Sequence, residues 1–369
     1  MKMLKRCTVS NKIKLIASGT MFLLAVLIYM VAKYNEWVAE FIFARGIYRA
    51  VSTIFNRVTG IVPFSVIEVI IVLLSIIIMV KFIRFIILLI RRKSVKKKVA
   101  GFLCNLSVVL GTVALLYVTM CGTNYFRYSF ARINNIEITE HSDEELYEMC
   151  IDIARRMNVA RAEIEENEEG VADYSLSYLE MAKAVRKEFE KTAKEYDCLN
   201  GCIAGAKPLS TSYIFSCFET TGIYSPFTVE ANVNIDIMDH KIPVTMAHEM
   251  AHVSGFMRED EANYIAYLVC TGSEDPRIVY SGLSIAFSYS MNQLYGANEE
   301  YYYDVWNQVG EKVAADMSAN SEYWSQFEDK TLAQVGNEVN NAYLKANDQS
   351  DGVKSYGRMV DLLLSTYFQ

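Results

Sequence analysis

The stretch TMAHEMAHVSGFMREDEANYIAYLV, residues 245–269, concentrates the side chains of this chain that are most suited to chemistry. His248-Glu249-Met250-Ala251-His252 is an HExxH pattern and uses two of only four histidines. On a helix, residues i and i+4 share a face, so both imidazoles can close on one cation. Glu249, between them, then lies near enough to act as base toward a water at that cation. Zinc in a hydrolytic site takes three protein ligands and leaves a fourth position to water. Gly255 is a natural helix stop, with Phe256 able to pack back on the last turn. A second helix starts almost at once with Glu259-Asp260-Glu261-Ala262-Asn263. Glu259 and Glu261 are both candidates for the third ligand. Glu259 is preferred because Asn263 sits one turn further on the same face, where its side-chain oxygen can accept the second N–H of a ligand histidine. The competing reading is an amphipathic helix pair whose His and Glu make ordinary polar contacts.

The element expected to flank these helices is residues 221–237, TGIYSPFTVEANVNIDI. From Thr228 the alternation is strict, with Val229, Ala231, Val233 and Ile235 on one face of a strand. Glu230, Asn232 and Asn234 occupy the other face, either as a wet face in solvent or as a strand along a cleft whose backbone pairs with an extended peptide. Ser142-Asp143-Glu144-Glu145 has capping-box spacing and predicts a helix start. Asp173–Tyr196 and Val279–Leu294 read as further helices, and residues 298–369 as helices with polar interruptions. Tyr280 is the candidate donor to a developing oxyanion. His141 and His240 lack ligand spacing and read as surface residues. Cys150, Cys198, Cys202, Cys217 and Cys270 form no metal pattern, and Cys198 and Cys202 are close enough in sequence to pair outside the cytoplasm.

The first third of the chain is different in kind. Residues 1–121 hold 17 Lys/Arg against 3 Asp/Glu, whereas residues 122–369 hold 19 against 40. The acidic part would repel phosphates, which excludes nucleic acid as a partner. The basic part carries apolar runs near residues 15–32, 64–83 and 99–121, each near the roughly 20 residues a bilayer requires. Lys2, Lys5, Arg6, Lys12 and Lys14 precede the first run, and Arg91, Arg92, Lys93, Lys96, Lys97 and Lys98 separate the second from the third. Positive flanks of this kind mark the cytoplasmic side. Three crossings of the lipid bilayer then leave the N-terminus inside and residues 122–369 outside, with the first run an uncleaved anchor. Residues 34–60 read as an amphipathic helix on the membrane surface or against the soluble domain.

HExxH followed by ExxA(D/N) resembles the zinc metallopeptidases with two His and one Glu as ligands, often called gluzincins. The resemblance implies Glu259 as zinc ligand and Asn263 as the residue orienting a histidine, with Asn where Asp is more common. KPLSTSYIFS, GIYSPFTVEANVN, AHEMAHVSGFMREDEAN, VYSGL and YLKANDQSDGVKSYGRMVDLL are similar to a bacterial family of membrane-anchored HExxH proteins labelled as uncharacterised. The fold class expected is a membrane α-helical region, residues 1–121, followed by a mainly α (α+β) zincin-like domain, residues 122–369, with a small sheet next to the HExxH helix. The function expected is a membrane-anchored peptidase with one Zn2+, held by His248, His252 and Glu259, that cuts a peptide or protein substrate with Glu249 as base. The alternative is a catalytically silent, zinc-stabilised receptor or scaffold with a peptidase-like fold.

Overall fold

The computed structural model of the chain describes residues 9–90, 95–201, 204–328, 331–347 and 357–368. Lys2, Lys5, Arg6, Arg91, Arg92, Lys93, Cys202 and the late Lys354-Ser355-Tyr356 therefore lie outside the described residues. The chain is mostly helical and divides into two compact units. One comprises residues 1–50, 66–127 and 226–228, the other residues 51–65, 128–225 and 229–369.

The helices of the first third are α1 (Val9–Tyr34), α2 (Arg49–Thr59), α3 (Val66–Ile90) and α4 (Val95–Met120). In the first unit α1, α3 and α4 are each long and apolar enough to cross a bilayer. Between α1 and α4 the contact is made by small and polar residues. Ser18 donates to the Ser107 carbonyl at 2.6 Å, and Lys14 donates to Asn105 Oδ1 at 2.7 Å. A Cβ on Gly111 would stand 3.2 Å from the Ser18 carbonyl, so glycine sets how closely these backbones approach. No residue of the α3 span is buried within the chain. The expected amphipathic stretch runs instead as a π-helical segment, Val38–Tyr48, followed by α2. Glu40, in the π segment, is fully buried and accepts from Arg127 Nε at 2.9 Å and Arg45 Nε at 2.6 Å. A carboxylate so placed is held by two guanidinium groups rather than by water.

In the second unit the elements are α5 (Phe130–Asn134), α6 (Asp143–Ala162), α7 (Tyr178–Glu195), β1 (Lys207–Pro208), α8 (Ser212–Cys217), β2 (Gly222–Ser225), β3 (Glu230–Val233), α9 (Ile242–Val253), α10 (Glu259–Thr271), α11 (Pro276–Ala297), α12 (Glu299–Gln308), α13 (Glu311–Ser325), α14 (Thr331–Ala346) and α15 (Gly357–Tyr367). Capping boxes start two of them: Ser142 with Glu145 opens α6, and Ser177 with Glu180 opens α7. The latter begins five residues later than the periodicity suggests. Helix α9 is the centre of the unit and packs against α7, α10, α11 and the sheet.

The sheet has the order β1-β3-β2, with β3 antiparallel to β2 (Gly222 opposite Val233, Ser225 opposite Glu230) and parallel to β1. Two expectations change here. The run 221–237 is a hairpin of two short strands, turned at residues 226–229, where Val229 takes a φ of 54°. The face carrying Glu230, Asn232 and Asn234 is not wet, since all three are 1% exposed or less. Glu230 pairs with Lys207 at 2.5 Å, Asn232 Nδ2 donates to the Ile223 carbonyl, and Asn234 Nδ2 donates to Ser216 Oγ. Period-2 alternation reports side-chain polarity, not what covers each face, and here a second polar layer covers it.

The end of α2 and the residues after it are built into this unit. Asn56 donates to the Val229 carbonyl at 2.9 Å and accepts from the Ala204 amide at 2.7 Å. Lys207 Nζ donates to the Thr59 carbonyl at 2.6 Å. His240, read as a surface residue, is 2% exposed, because the turn into α9 folds it toward Tyr280. His141 also leaves the surface by stacking on Phe368. Cys150 and Cys270 are buried thiols in no disulfide, and burial pushes the Cys150 pKa up to about 12.

Candidate metal centre

Pro243 sits in the first turn of α9, where its missing N–H costs nothing. The other end of α9 sets the geometry of the cluster. Gly255 has a φ of 90°, which L side chains rarely adopt. Its amide donates to the His252 carbonyl and the Phe256 amide donates to the Ala251 carbonyl, the two bonds of a Schellman stop. The reversal buries Phe256 and brings its carbonyl 2.7 Å from His252 Nδ1. That acceptor keeps the proton on Nδ1 and leaves the Nε2 lone pair for a metal. Three residues later α10 starts with Glu259.

His248 and His252 present their Nε2 atoms 3.1 Å apart. Glu259 Oε2 lies 3.3 Å from His248 Nε2, and Glu259 Oε1 lies 3.7 Å from His252 Nε2. Tetrahedral coordination at about 2.0–2.1 Å separates neighbouring ligand atoms by about 3.3 Å, so three donors at this spacing could hold one small divalent ion. The alternative third ligand, Glu261, is turned elsewhere. Its carboxylate accepts from the Phe130 amide at 2.6 Å and from both sides of the Arg258 guanidinium.

The electrostatics follow from burying two rings and two carboxylates together. Burial disfavours the His248 cation, but Glu259 beside it more than compensates and pushes its pKa up to about 9. His252 is pushed down to about 4, chiefly by burial, against the raising effects of Glu259 and of the hydrogen bond its Nδ1 makes to the Phe256 carbonyl. Burial raises Glu249 to about 8, with Glu259 adding to the rise, and its Oε2 has no hydrogen-bond partner. Asn263 helps to raise His248, which puts its amide near the ring, yet His248 Nδ1 is buried without a bonded partner.

Other sequence candidates fall elsewhere. Tyr280 is fully buried, and its hydroxyl donates to Asp316 at 2.7 Å within a network that also holds Arg161. The tyrosine beside the cluster is Tyr289, two and a half turns later on α11, whose hydroxyl accepts from Asn263 Nδ2 at 3.3 Å. Burial raises its pKa, so it is a donor at neutral pH. Glu230 and Asn232 belong to the central strand, whose backbone is paired on both sides at Asn232 and Val233, and Asn234 follows its end. The edge strand next to Glu249 is β2. A Cβ on Gly222 would fall 2.5 Å from Glu249 Oε1, and the Tyr224 ring lies 6.3 Å from that of His252. The spacing of the histidines, the Gly255 stop and the following acidic turn with Asn263 were visible in the sequence. Tyr289 and β2 carried no local signal, because helix phase and strand order depend on distant partners.

A cavity of about 340 Å3 opens at the cluster, lined by His248, Glu259, Asn263, Tyr289, Lys241 and Thr245 among others. A family model described as a protein of unknown function (DUF3810) matches residues 43–364, and the chain belongs to this family. No curated protein and no solved structure matches.

Proposed function

We propose that this DUF3810 member is a membrane-anchored, zinc-dependent metallopeptidase whose second unit works outside the cytoplasm. The observation that carries the reading is the convergence of His248 Nε2, His252 Nε2 and the Glu259 carboxylate beside the unpartnered Glu249 oxygen. A zinc ion held by those three residues would act as a Lewis acid toward a water and a peptide carbonyl. Glu249 accepts the proton of the attacking water and hands it to the leaving amine. Tyr289 donates a hydrogen bond to the oxygen that gains charge. The open edge of β2 pairs with an extended peptide and Gly222 lets that peptide lie against Glu249. The outward orientation rests on the basic flanks before α1 and between α3 and α4.

The test uses the full chain purified in detergent. About one zinc per chain is expected by elemental analysis, together with cleavage of unstructured peptides. Glu249→Gln keeps the metal and loses turnover by about 100- to 10,000-fold, the range for general-base removal. Equal cleavage by this variant rules the mechanism out. Metal retention with no cleavage of a broad peptide library by the wild type would favour a structural ion.

A further inference from the structure

Lys241 is the residue before α9, seven positions ahead of His248 and on the same face. At 1.5 Å per residue the two Cα atoms stand about 10 Å apart along the axis, the reach of about three extended residues. Both side chains line the same cavity. The Lys241 ammonium donates to Ser284 Oγ at 3.2 Å, and no carboxylate of a described residue pairs with it. Burial is the one influence that displaces its pKa, downward to about 8. The buried Arg161 and Lys207 are answered within the fold by Asp316 and Glu230, whereas Lys241 stands half-buried at the cavity. An ammonium withdrawn from water with one neutral acceptor lacks most of what stabilises its charge. Asn320 adds a second unsatisfied group at the same cavity, a buried Oδ1 with no hydrogen bond, which can accept a substrate N–H.

We infer that this cavity is a carboxylate-recognising subsite, in which Lys241 receives an anionic group of the substrate no more than about three residues from the bond being cut. The inference rests on the peptidase reading and names the substrate class for it. The carboxylate is either the C-terminus of a peptide or an internal Asp or Glu side chain; the chemistry at Lys241 is the same. Val244, Ile285 and Trp324 supply apolar walls on which the intervening residues pack.

Binding is read on the full chain carrying Glu249→Gln, so that nothing is consumed. Four fluorescent peptides share one neutral sequence: free acid, C-terminal amide, and the amide with an internal Glu or Gln. The free acid, the Glu peptide, or both bind at least ten-fold tighter than their neutral counterparts. Preference for the free acid alone assigns the subsite to chain ends, and preference for Glu alone to side chains. Adding Lys241→Met reduces the preference to two-fold or less and leaves binding of the neutral amide and the metal content unchanged. Lys241→Arg keeps most of the preference. Equal binding of charged and neutral peptides, or a preference that survives Lys241→Met, overturns the inference. Charge-indifferent cleavage by the wild type sinks the subsite and keeps the peptidase. Charge-selective binding without wild-type cleavage keeps the subsite and sinks the peptidase. Absence of binding by all four peptides overturns both.

Discussion

At the scale of single residues, Gly255 has the widest influence for its size. Its left-handed φ allows the reversal that presents the Phe256 carbonyl to His252, so Gly255→Ala should lower metal content although it supplies no ligand atom. Strain at such a site is of order 1–3 kcal/mol. The two glutamates of the acidic turn should separate cleanly. Glu259→Ala loses metal, whereas Glu261→Gln keeps it and lowers the melting temperature, because Glu261 holds Arg258 and the Phe130 amide. The two tyrosines of α11 also divide. Tyr289→Phe is expected to lower kcat by about 100-fold, as loss of one oxyanion donor does. Tyr280→Phe should instead cost about 1–3 kcal/mol of stability with kcat unchanged, since it deprives buried Asp316 of a donor. This residue scale is also where the sequence was most readable: His248, His252 and Glu259 fall within twelve residues, so local periodicity brings them together. Choosing Tyr289 over Tyr280 needed the rotation of α11 about its axis, which packing against α6 and α10 sets.

Lys241 adds a pH signature at the same scale. Recognition requires the cation, which is fully present below a pKa of about 8 and lost above it. The carboxylate preference should therefore fade as pH rises through 8 or somewhat higher, because a bound anion holds the proton. His248, Glu259 and Tyr289 face the same cavity and titrate in both wild type and Lys241→Met; the difference between those two profiles isolates the lysine. A flat difference from pH 6 to 10 contradicts the assignment.

At the scale of elements, the sheet shows how far alternation can be read. Thr228 to Ile235 gives a strand, but its neighbours are set by contacts that no local window contains. Glu230 finds Lys207 across 23 residues, and Val229 finds Asn56 across 173. Glu230→Ala is therefore expected to act through folding. It strands a buried ammonium, which costs about 3–5 kcal/mol, while KM of the folded fraction stays put. Gly222→Ala tests the strand that does border Glu249: an added Cβ must displace the carboxylate, so kcat drops with metal content retained. An unchanged kcat would mean that β2 is not the working edge. The three helices long and apolar enough to cross a bilayer were the easiest elements to locate, since an uninterrupted apolar run needs no partner to be recognised. The π-helical segment was not readable, because the buried Glu40 that fixes it is held by Arg127, 87 residues away.

At the scale of the molecule, the charge difference between the basic first third and the acidic remainder has a bearing on substrates. A net negative field does not draw anionic peptides from a distance, so any carboxylate preference must arise from contact at Lys241 and appear in dissociation rather than association rates. Residues 51–65 group with the second unit, so that unit also draws on chain before residue 122. A fragment beginning at residue 122 lacks the Asn56 amide that caps Ala204 and Val229, and the Thr59 carbonyl that receives Lys207. Such a fragment should melt lower than the full chain, and supplying residues 49–65 as a peptide should restore part of the loss. Equal melting temperatures would show those bonds to be dispensable.

The same stitch limits how the second unit can be separated from the apolar helices. A protease clipping just after α4 severs the chain, yet residues 51–65 stay covalently bound to α1 and α3. The liberated portion would have to abandon a piece of its own interior to diffuse away. Release of the second unit by a single cut is here opposed by the architecture itself.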